Sequence, residues 1–284
     1  MQKPIFKSAK HQYNFNHKGY CTFPLLHESE VAEIVDIYNT YIHHHSSAET
    51  KFHGTGWIQN PEVRVEVSNR VAPILLSALS RSFTAFKILG CGFLQKETGE
   101  DSAVPLHQDW TYVDESRFFS MNIWIALEDV NMNNGAMFVL PYSHNIFSGY
   151  LRPSPAYPVP FKNIAGKLTP YCKPVTIKRG ECLCFNNALL HGSFPNQSPS
   201  KRLVLVTTML PENAVLLHYY TANSLIPEEV IEYTIDAETF LKMERGLPPG
   251  RYLKKASVKT KYTQQSFSRF MCNYIKLHLR NCLT

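Results

Sequence analysis

The chain has 284 residues, of which 44% are hydrophobic and 18% are charged, and its formal net charge at pH 7 is +6. This apolar content is ample for the core of one large folded domain. Seven cysteines without a C-x-x-C pair do not suit a secreted disulfide framework. The N-terminal residues MQKPIFKSAK lack an apolar signal region, and no run of about 18 apolar residues occurs. We therefore expect a cytoplasmic protein with no transmembrane segment.

Two helices are predicted in the first 82 residues. The first is Glu28–Tyr41, with Ser29 as its candidate N-cap. Its helical period is carried by one apolar stripe: Val31, Ile34, Val35 and Tyr38. The second is Asn69–Leu79, which Pro73 interrupts near its start. The chain therefore begins with helical segments.

Short strands are predicted through the middle of the chain. They are rich in β-branched and aromatic residues and are separated by turn signals, of which Asn134-Gly135 is one. The candidates are Phe83–Gln95, Phe118–Leu127, Met137–Leu140, Lys173–Lys178, Cys182–Phe185 and Leu203–Leu210. Helices followed by many short strands indicate one large, mainly β domain with elaborations.

The segment Phe147–Tyr171 contains five prolines and interleaved aromatic residues. Prolines at this density exclude a helix and a central strand, so an extended loop is predicted. A long loop in a compact domain is usually functional or disordered. The aromatic residues Tyr150, Tyr157 and Phe161 favour a packed segment. Two interpretations stay open: a lid that covers a substrate, and a surface loop without that role.

The C-terminal residues 251–284 contain eight Lys or Arg and no Asp or Glu. Because the whole chain carries only +6, the remainder is close to neutral. From Phe267 onward, apolar and basic residues alternate in a moderately amphipathic pattern. We favour a terminal helix that packs on the domain; contact of this basic tail with an anionic surface or carrier is the alternative. With no zinc knuckle or RNA-binding signature, no nucleic-acid partner is expected.

Three residues suggest a metal site. His107 and Asp109 lie just before an apolar, strand-like run, and if they are themselves extended their side chains share one face, because i and i+2 do so in a strand. His191 follows in Leu190-His191-Gly192. Two imidazoles and one carboxylate leave half of an octahedral iron open, which is the ligand set of non-haem Fe(II) oxygenases. A lone His-x-Asp pair is weak evidence, and the surrounding motifs decide its meaning.

Those motifs resemble the phytanoyl-CoA dioxygenase family of Fe(II)/2-oxoglutarate-dependent oxygenases. The matching pieces, in the family's order and spacing, are PLHQDW (105–110), NIWIALEDV (122–130), NNGAMFVLPYSH (133–144), GECLCFNNALLHGSFPNQS (180–198) and KRLVLVTTML (201–210). They cover roughly the central third of the chain. The resemblance is specific for fold, metal and cosubstrate, and it says little about the substrate.

The resemblance implies a mainly β fold: a double-stranded β-helix (jelly-roll, cupin-like) core with a helical cover. The expected organisation is one oxygenase domain over 1–284, with an N-terminal helical cover at about 1–82, the jelly-roll core at about 83–211 and a C-terminal helical extension at about 212–284. His107, Asp109 and His191 match the iron ligands.

The resemblance also implies cosubstrate residues. Arg202, Ser193 and Trp124 match the positions that hold 2-oxoglutarate. An arginine suits the distal carboxylate of that molecule, because its planar fork pairs bidentately and stays charged when desolvated. Asn122 shares a strand face with Trp124 and could offer its amide to the cosubstrate. Gln95 is a further candidate that the sequence cannot assign to pocket or surface.

The function expected from this resemblance is hydroxylation of an unactivated carbon in a small-molecule or lipid-like substrate, with succinate and carbon dioxide as co-products and Fe(II), 2-oxoglutarate and dioxygen as cofactors. Asp109 disfavours halogenation, because iron halogenases carry a small residue in place of the carboxylate. His144 follows the family's proline bend, and we do not assign it to the metal. The alternative function is a non-catalytic module on the same fold that senses iron or 2-oxoglutarate.

Overall fold

The structure is a computed structural model that describes residues 4–41, 51–146, 150–155, 162–222, 229–259 and 266–282. Its helices are α1 (Ala9–Lys18), α2 (Glu28–Tyr41), α3 (Pro61–Ser82), α4 (Ser143–Ile146), α5 (Ala165–Leu168), α6 (Ala237–Lys242) and α7 (Phe267–Cys282). Its strands are β1 (Tyr20–Pro24), β2 (Phe52–Gly54), β3 (Phe86–Lys96), β4 (Val104–His107), β5 (Met121–Ala126), β6 (Met137–Val139), β7 (Lys173–Val175), β8 (Glu181–Asn186), β9 (His191–Ser193), β10 (Arg202–Pro211), β11 (Leu217–Tyr220), β12 (Glu229–Thr234) and β13 (Lys254–Lys259). No helix in these ranges has the length and apolar character needed to cross a bilayer.

The core is a jelly roll built from two antiparallel sheets. The larger sheet has the order β1-β8-β5-β10-β3-β2, and the smaller has the order β4-β9-β6-β7. Between β3 and β10 the chain passes repeatedly from one sheet to the other, as a double-stranded β-helix requires. The expected fold is therefore confirmed.

Side chains alternate between the two faces of the larger sheet, and each face contributes to its own apolar layer. Ile123 and Ile125 of β5 face the helices and join a core with residues of α2 and α3. Trp124 and Ala126 face the other way and pack with residues of β6 in the smaller sheet. Because both faces of this sheet are covered, most residues along its strands are apolar.

The two predicted helices are present, with corrections at their starts. Helix α2 has the predicted bounds, but Ser29 lies inside its first turn. The cap is instead His27, whose backbone N–H donates to the Glu30 carboxylate at 2.8 Å. Helix α3 starts at Pro61, eight residues before the predicted start, and Asn60 caps it by accepting from the Glu62 N–H at 3.0 Å. Pro73 lies inside α3 without ending it.

The terminal regions are less purely helical than expected. Strands β1 and β2 extend the larger sheet at its two edges, so the N-terminal region is not only a cover. Within the described part of 212–284, strands β11, β12 and β13 form a separate three-stranded sheet, followed by α7. The expectation of a helical C-terminal extension is therefore wrong for residues 217–259, and among the described residues of this region only α7 at its end is a long helix.

The proline-rich segment also differs from the prediction. Residues Lys162–Tyr171 form two short 3-10 helices flanking α5, where only extended chain was expected. Pro170 lies in the first turn of its 3-10 helix, where proline's missing N–H has no cost. Phe270 of α7 is buried against this region, which agrees with a packed terminal helix. Tyr150 joins the same cluster, whereas Tyr157 and Phe161 lie outside the described residues.

Candidate functional site

A cavity of about 450 Å³ opens between the two sheets. Its inner end is lined by residues of both sheets, among them Trp124, Ser193 and Arg202. His107, Asp109 and His191 also line it, as do several aromatic residues, among them Trp57 and Trp110. Most of the predicted site residues therefore share one cavity.

His107 and His191 meet because strands β4 and β9 pair with each other. The two histidines are directly opposite in the antiparallel register, and their ring centres are 4.3 Å apart. Asp109 lies just past the end of β4, where its N–H donates to the carbonyl of Asn187 at 2.9 Å. Its convergence with His107 thus arises after the strand ends, not within a strand as predicted.

The donor atoms of these three residues lie within 4.8 Å of one another. Nε2 of His191 is 3.6 Å from Oδ2 of Asp109, and Nε2 of His107 is 3.9 Å from Oδ1. This is the one group of three or more His, Cys, Asp or Glu side chains with such geometry in the described ranges. The residues can hold one metal ion and leave the cavity side of it open.

Backbone carbonyls orient both imidazoles. Nδ1 of His107 is 2.8 Å from the carbonyl oxygen of Pro105, and Nδ1 of His191 is 2.9 Å from that of Leu189. A carbonyl only accepts, so each Nδ1 carries the proton and each Nε2 presents a lone pair to the site. Burial, followed by the neighbouring His191, lowers the pKa of His107 to about 4 despite the opposing effect of Asp109. The neutral, ligand-competent imidazole is favoured at pH 7.

Two further residues hold Asp109. The Asn122 amide donates to Oδ2 of Asp109 at 2.6 Å, while Thr208 donates its hydroxyl to the Asn122 oxygen at 2.6 Å. The amide thus has a partner other than the predicted cosubstrate. From the proline-rich segment, buried Arg152 donates to the backbone carbonyl of Asp109 at 2.6 Å and forms an ion pair with Glu115. The sequence offered no signal for this contact.

The inner end of the cavity carries a buried positive charge. Arg202 is 1% exposed, and its guanidinium carbon lies 4.9 Å from the centre of the Trp124 ring. Nε and Nη1 of Arg202 find no hydrogen-bond partner among the residues that the structure describes. Burial lowers its pKa to about 10, so the side chain stays charged at pH 7. Glu128 opposes the effect of burial on this pKa, and the two nitrogens without a partner can donate to an anionic ligand.

A second buried cation, Lys96, lies beside Arg202 and was not predicted. Its ammonium donates to the Ser193 hydroxyl at 2.7 Å and to the Phe194 carbonyl at 2.6 Å. Burial, and then the charge of Arg202, lower its pKa to about 7. Three of the groups at this end (Arg202, Lys96 and Ser193) can therefore donate to one carboxylate.

Gln95, a candidate that the sequence could place neither in the pocket nor on the surface, is not among the residues that line the cavity. Its side chain points from β3 to the helix-covered face, where it accepts from the Tyr38 hydroxyl and donates to Glu97. The neighbouring Lys96 points to the opposite face of β3, where its ammonium contacts Ser193, a residue that lines the cavity. His144, which was not assigned to the metal, lies elsewhere, with Nε2 3.1 Å from the carbonyl oxygen of Asn16.

The site fits a divalent cation together with a dicarboxylate. Two neutral imidazoles and a carboxylate are ligands that Fe(II) prefers in oxygenase sites. Arg202, two of whose nitrogens have no hydrogen-bond partner among the described residues, lines the same cavity as this triad and would hold a carboxylate there. The residues present can bind both groups at once.

Comparison with known proteins agrees with this geometry. The sequence profile of the family described as phytanoyl-CoA dioxygenase matches residues 40–204. "Phytanoyl-CoA dioxygenase 1" of Oryza sativa subsp. japonica is 28% identical over 124 residues, which are 40% of this chain and 41% of that protein. "Phytanoyl-CoA dioxygenase domain-containing protein 1" of Danio rerio is 29% identical over 124 residues, 41% of this chain and 42% of that protein. The match thus spans about two fifths of these relatives.

Solved structures share the fold at low identity. The epimerase SnoN, in complex with Fe3+, alpha ketoglutarate and nogalamycin RO, has a TM-score of 0.54 and 17% identity over 92% of this chain and 96% of that one. The carbocyclase SnoK has a TM-score of 0.53 and 18% identity over 89% and 96%. HygX from Streptomyces hygroscopicus, with nickel, 2-oxoglutarate and hygromycin B bound, has a TM-score of 0.50 and 16% identity over 72% and 88%. At these identities the likeness is one of fold.

Proposed function

Because the chain belongs to the phytanoyl-CoA dioxygenase family, we propose that it is an Fe(II)- and 2-oxoglutarate-dependent dioxygenase that hydroxylates an unactivated carbon of a small-molecule or lipid-like substrate. The observation that carries the proposal is one cavity with the His107, Asp109 and His191 donors along it and the buried Arg202 at its inner end. Solved relatives of the same fold hold iron or nickel and 2-oxoglutarate, which supports the same cofactors here.

Each residue of the site has a defined part in this proposal. His107, Asp109 and His191 hold the iron, and Arg202 pairs with the distal carboxylate of 2-oxoglutarate. Lys96 and Ser193 donate to the same carboxylate, and Trp124 supplies an aromatic wall beside it. When bound, iron and 2-oxoglutarate would supply the chemistry that activates dioxygen, the oxidant: one of its oxygen atoms goes to the substrate and the other to succinate, and carbon dioxide is released. The chain itself orients these groups and keeps bulk water from the inner end of the cavity.

The outcome of the reaction is the less constrained part of the proposal. SnoK and SnoN are described as a carbocyclase and an epimerase, so this fold supports outcomes besides hydroxylation. Asp109 fills the position that a halide needs in iron halogenases, which favours hydrogen abstraction with oxygen transfer. The cytoplasm as the place of action stays a prediction from the cysteine content and the N-terminal sequence.

The test is 2-oxoglutarate turnover that depends on Asp109. The protein is purified without oxygen, supplied with Fe(II) and 2-oxoglutarate, and exposed to air while succinate is measured. We expect succinate from the wild type and from Asp101→Ala, an exposed control, and none from Asp109→Ala. If iron and 2-oxoglutarate bind but no succinate forms with any candidate substrate, the sensing alternative replaces the enzyme. Absence of 2-oxoglutarate binding would overturn the proposal.

A further inference from the structure

We propose that an exposed loop beside the opening of the cavity is a docking surface for an anionic lipid bilayer. The loop, called the rim loop below, comprises residues 246–255, from the turn after α6 to the first two residues of β13. Its position suits the lipid-like substrates of the proposed function, and this link to a substrate rests on that function. The docking surface itself does not, because binding to a bilayer needs no turnover.

The rim loop exposes three large apolar side chains within seven residues. Leu247 is 46% exposed, Tyr252 is 47% exposed and Leu253 is 68% exposed. Leu253 has the highest exposed fraction of the large hydrophobic residues that the structure describes. Single exposed apolar residues are normal on a protein surface, whereas several together mark a site of interaction.

Basic residues lie among these apolar side chains. Arg251, Lys254 and Lys255 are exposed, and the rim loop contains no acidic residue. Among the described residues, the one acidic side chain within ion-pair distance of the loop is Asp236, whose Oδ2 is 3.4 Å from Nη2 of Arg251. From residue 245 to residue 284 the sequence has no Asp or Glu. The charge of the loop is therefore complementary to that of an anionic partner.

Packing on the three-stranded sheet holds apolar and basic side chains of the loop together. The Tyr252 ring lies 5.1 Å from the ring of buried Tyr233, and Nζ of Lys255 lies 5.6 Å from the centre of the same ring. The N–H of Leu253 donates to the carbonyl of Thr234 at 2.7 Å. An exposed aromatic ring and an exposed ammonium are thus anchored side by side on one strand, β12.

The rim loop begins at the wall of the cavity. Leu241 and Met243, which line the cavity, precede the loop by five and three residues. Buried Arg64 donates to the carbonyls of both, at 2.9 and 3.2 Å, and to that of Ile58 at 2.7 Å. Trp57, next to Ile58, lines the cavity and is 44% exposed. The cavity therefore reaches solvent next to the base of the rim loop.

The size and composition of the rim loop favour a bilayer over a protein as its partner. A standard protein–protein interface uses about 20–30 residues on each side. A bilayer interface needs only a few apolar side chains at the boundary of the acyl chains, basic side chains against anionic headgroups, and aromatic rings at headgroup level. The rim loop supplies all three kinds of side chain: Leu247 and Leu253, then Arg251, Lys254 and Lys255, and finally Tyr252.

The test is co-sedimentation of the full chain with vesicles of phosphatidylcholine alone, and of phosphatidylcholine with about 30% phosphatidylserine. Each Lys or Arg near an anionic surface strengthens binding roughly fivefold. We therefore expect binding to the anionic vesicles to be at least about tenfold tighter than to the neutral ones, and to weaken as salt screens the charges. Equal affinity for the two kinds of vesicle, or no binding to either, would overturn the inference.

Variants of the rim loop identify the residues that bind the vesicles. Leu253→Ser should weaken binding to the anionic vesicles about tenfold, because the apolar side chain that enters the acyl boundary is lost. Lys254→Gln combined with Lys255→Gln should weaken it roughly 25-fold and reduce its dependence on salt. An unchanged affinity in either variant contradicts the assignment to the rim loop.

Matched controls lie on α7, which also carries apolar and basic residues near the C-terminus. Ile275 is 50% exposed, and Arg269 and Lys276 are exposed as well. Ile275→Ser, and Arg269→Gln combined with Lys276→Gln, should bind the anionic vesicles as the wild type does. If these variants weaken binding as much as the rim-loop variants do, the basic tail binds the bilayer and the inference is wrong.

Poly-glutamate distinguishes a bilayer from an acidic protein as the partner. This polymer offers negative charge without an apolar phase, so it should bind more weakly than the anionic vesicles. If poly-glutamate binds as tightly as these vesicles, the partner is an acidic protein and the inference fails. Succinate formation without vesicle binding would overturn the docking surface alone, whereas vesicle binding without succinate from any candidate substrate would overturn the proposed function alone.

Discussion

Asn122 donates its side-chain amide to Oδ2 of Asp109 at 2.6 Å, and the Thr208 hydroxyl fixes the amide by donating to its oxygen at 2.6 Å. This chain of hydrogen bonds crosses from β10 through β5 to the carboxylate of the proposed iron site. It holds one oxygen of Asp109 and leaves the other to face His107. The carboxylate is thus oriented before any metal arrives.

Asn122→Leu should therefore weaken metal binding without unfolding the protein. Leucine has the branched shape of asparagine, although it is larger, and it cannot donate a hydrogen bond, so Asp109 loses its orientation. Loss of a group that orients a ligand typically lowers metal affinity about 10- to 100-fold. Titration calorimetry with Co(II) measures the change, and Thr208→Val should show a smaller fall in the same direction. An unaltered affinity in Asn122→Leu would remove this residue from the metal site.

Arg202→Gln should raise the KM for 2-oxoglutarate sharply. The substitution removes the charged partner of a buried carboxylate, and a hydrogen bond to a charged group contributes about 1.5–3 kcal/mol, or roughly 10- to 150-fold in affinity. Lys201→Gln is the matched control, because Lys201 faces the other way and donates to the Tyr38 hydroxyl at 3.1 Å. Succinate formation against 2-oxoglutarate concentration gives both values. Similar KM values for the two variants contradict the assignment.

Lys96 should make 2-oxoglutarate binding depend on pH. Its pKa of about 7 rises when a carboxylate binds nearby, because the charged ammonium is then favoured. The ammonium is already formed below pH 7, so affinity is highest there. As pH rises through about 7, binding requires proton uptake and affinity falls by up to about tenfold per pH unit until the pKa of the complex is passed.

The variant Lys96→Met tests this pH dependence. It should bind 2-oxoglutarate more weakly at pH 6 and show a nearly flat affinity from pH 6 to 9. Lys201→Met should keep the wild-type profile. A fall in affinity above pH 7 that persists in Lys96→Met would assign the titration to another group.

Arg152→Met should destabilise the fold strongly. It breaks the buried pair of Arg152 with Glu115 and removes the donor to the Asp109 carbonyl. Breaking a buried pair by removing one partner costs about 3 kcal/mol or more of unfolding free energy. Urea unfolding measures the loss. Lys178→Met, which breaks an exposed pair with Asp129, should change stability little, and an equally small effect of Arg152→Met would contradict the structural role.

The sequence alone predicted the helices and strands that have strong local patterns, and it predicted the kind of chemistry at the site. Helix α2 has the predicted bounds because its apolar residues recur at the helical period. The motifs around His107, His191 and Arg202 resemble those of the phytanoyl-CoA dioxygenase family, and this resemblance predicts a metal and a carboxylate at these residues. The structure brings these residues, with Ser193 and Trp124, to one cavity. Their roles as ligands stay predictions that the experiments above test.

Only the tertiary structure decided which face each strand residue occupies and which distant segments meet. The sequence does not place Gln95 in the pocket or on the surface and gives no signal for Lys96, because β3 is covered on both faces and shows no alternation of polar and apolar residues. The pairing of β3 with β10 also shifts register between Thr207 and Met209, so the alternation of side chains between the two faces is not continuous along the strand. Arg64 reaches Met243 across 179 positions of sequence, and Arg152 reaches Asp109 across 43. Contacts of this kind depend on how the sheets and helices pack, and no local pattern in the chain encodes them.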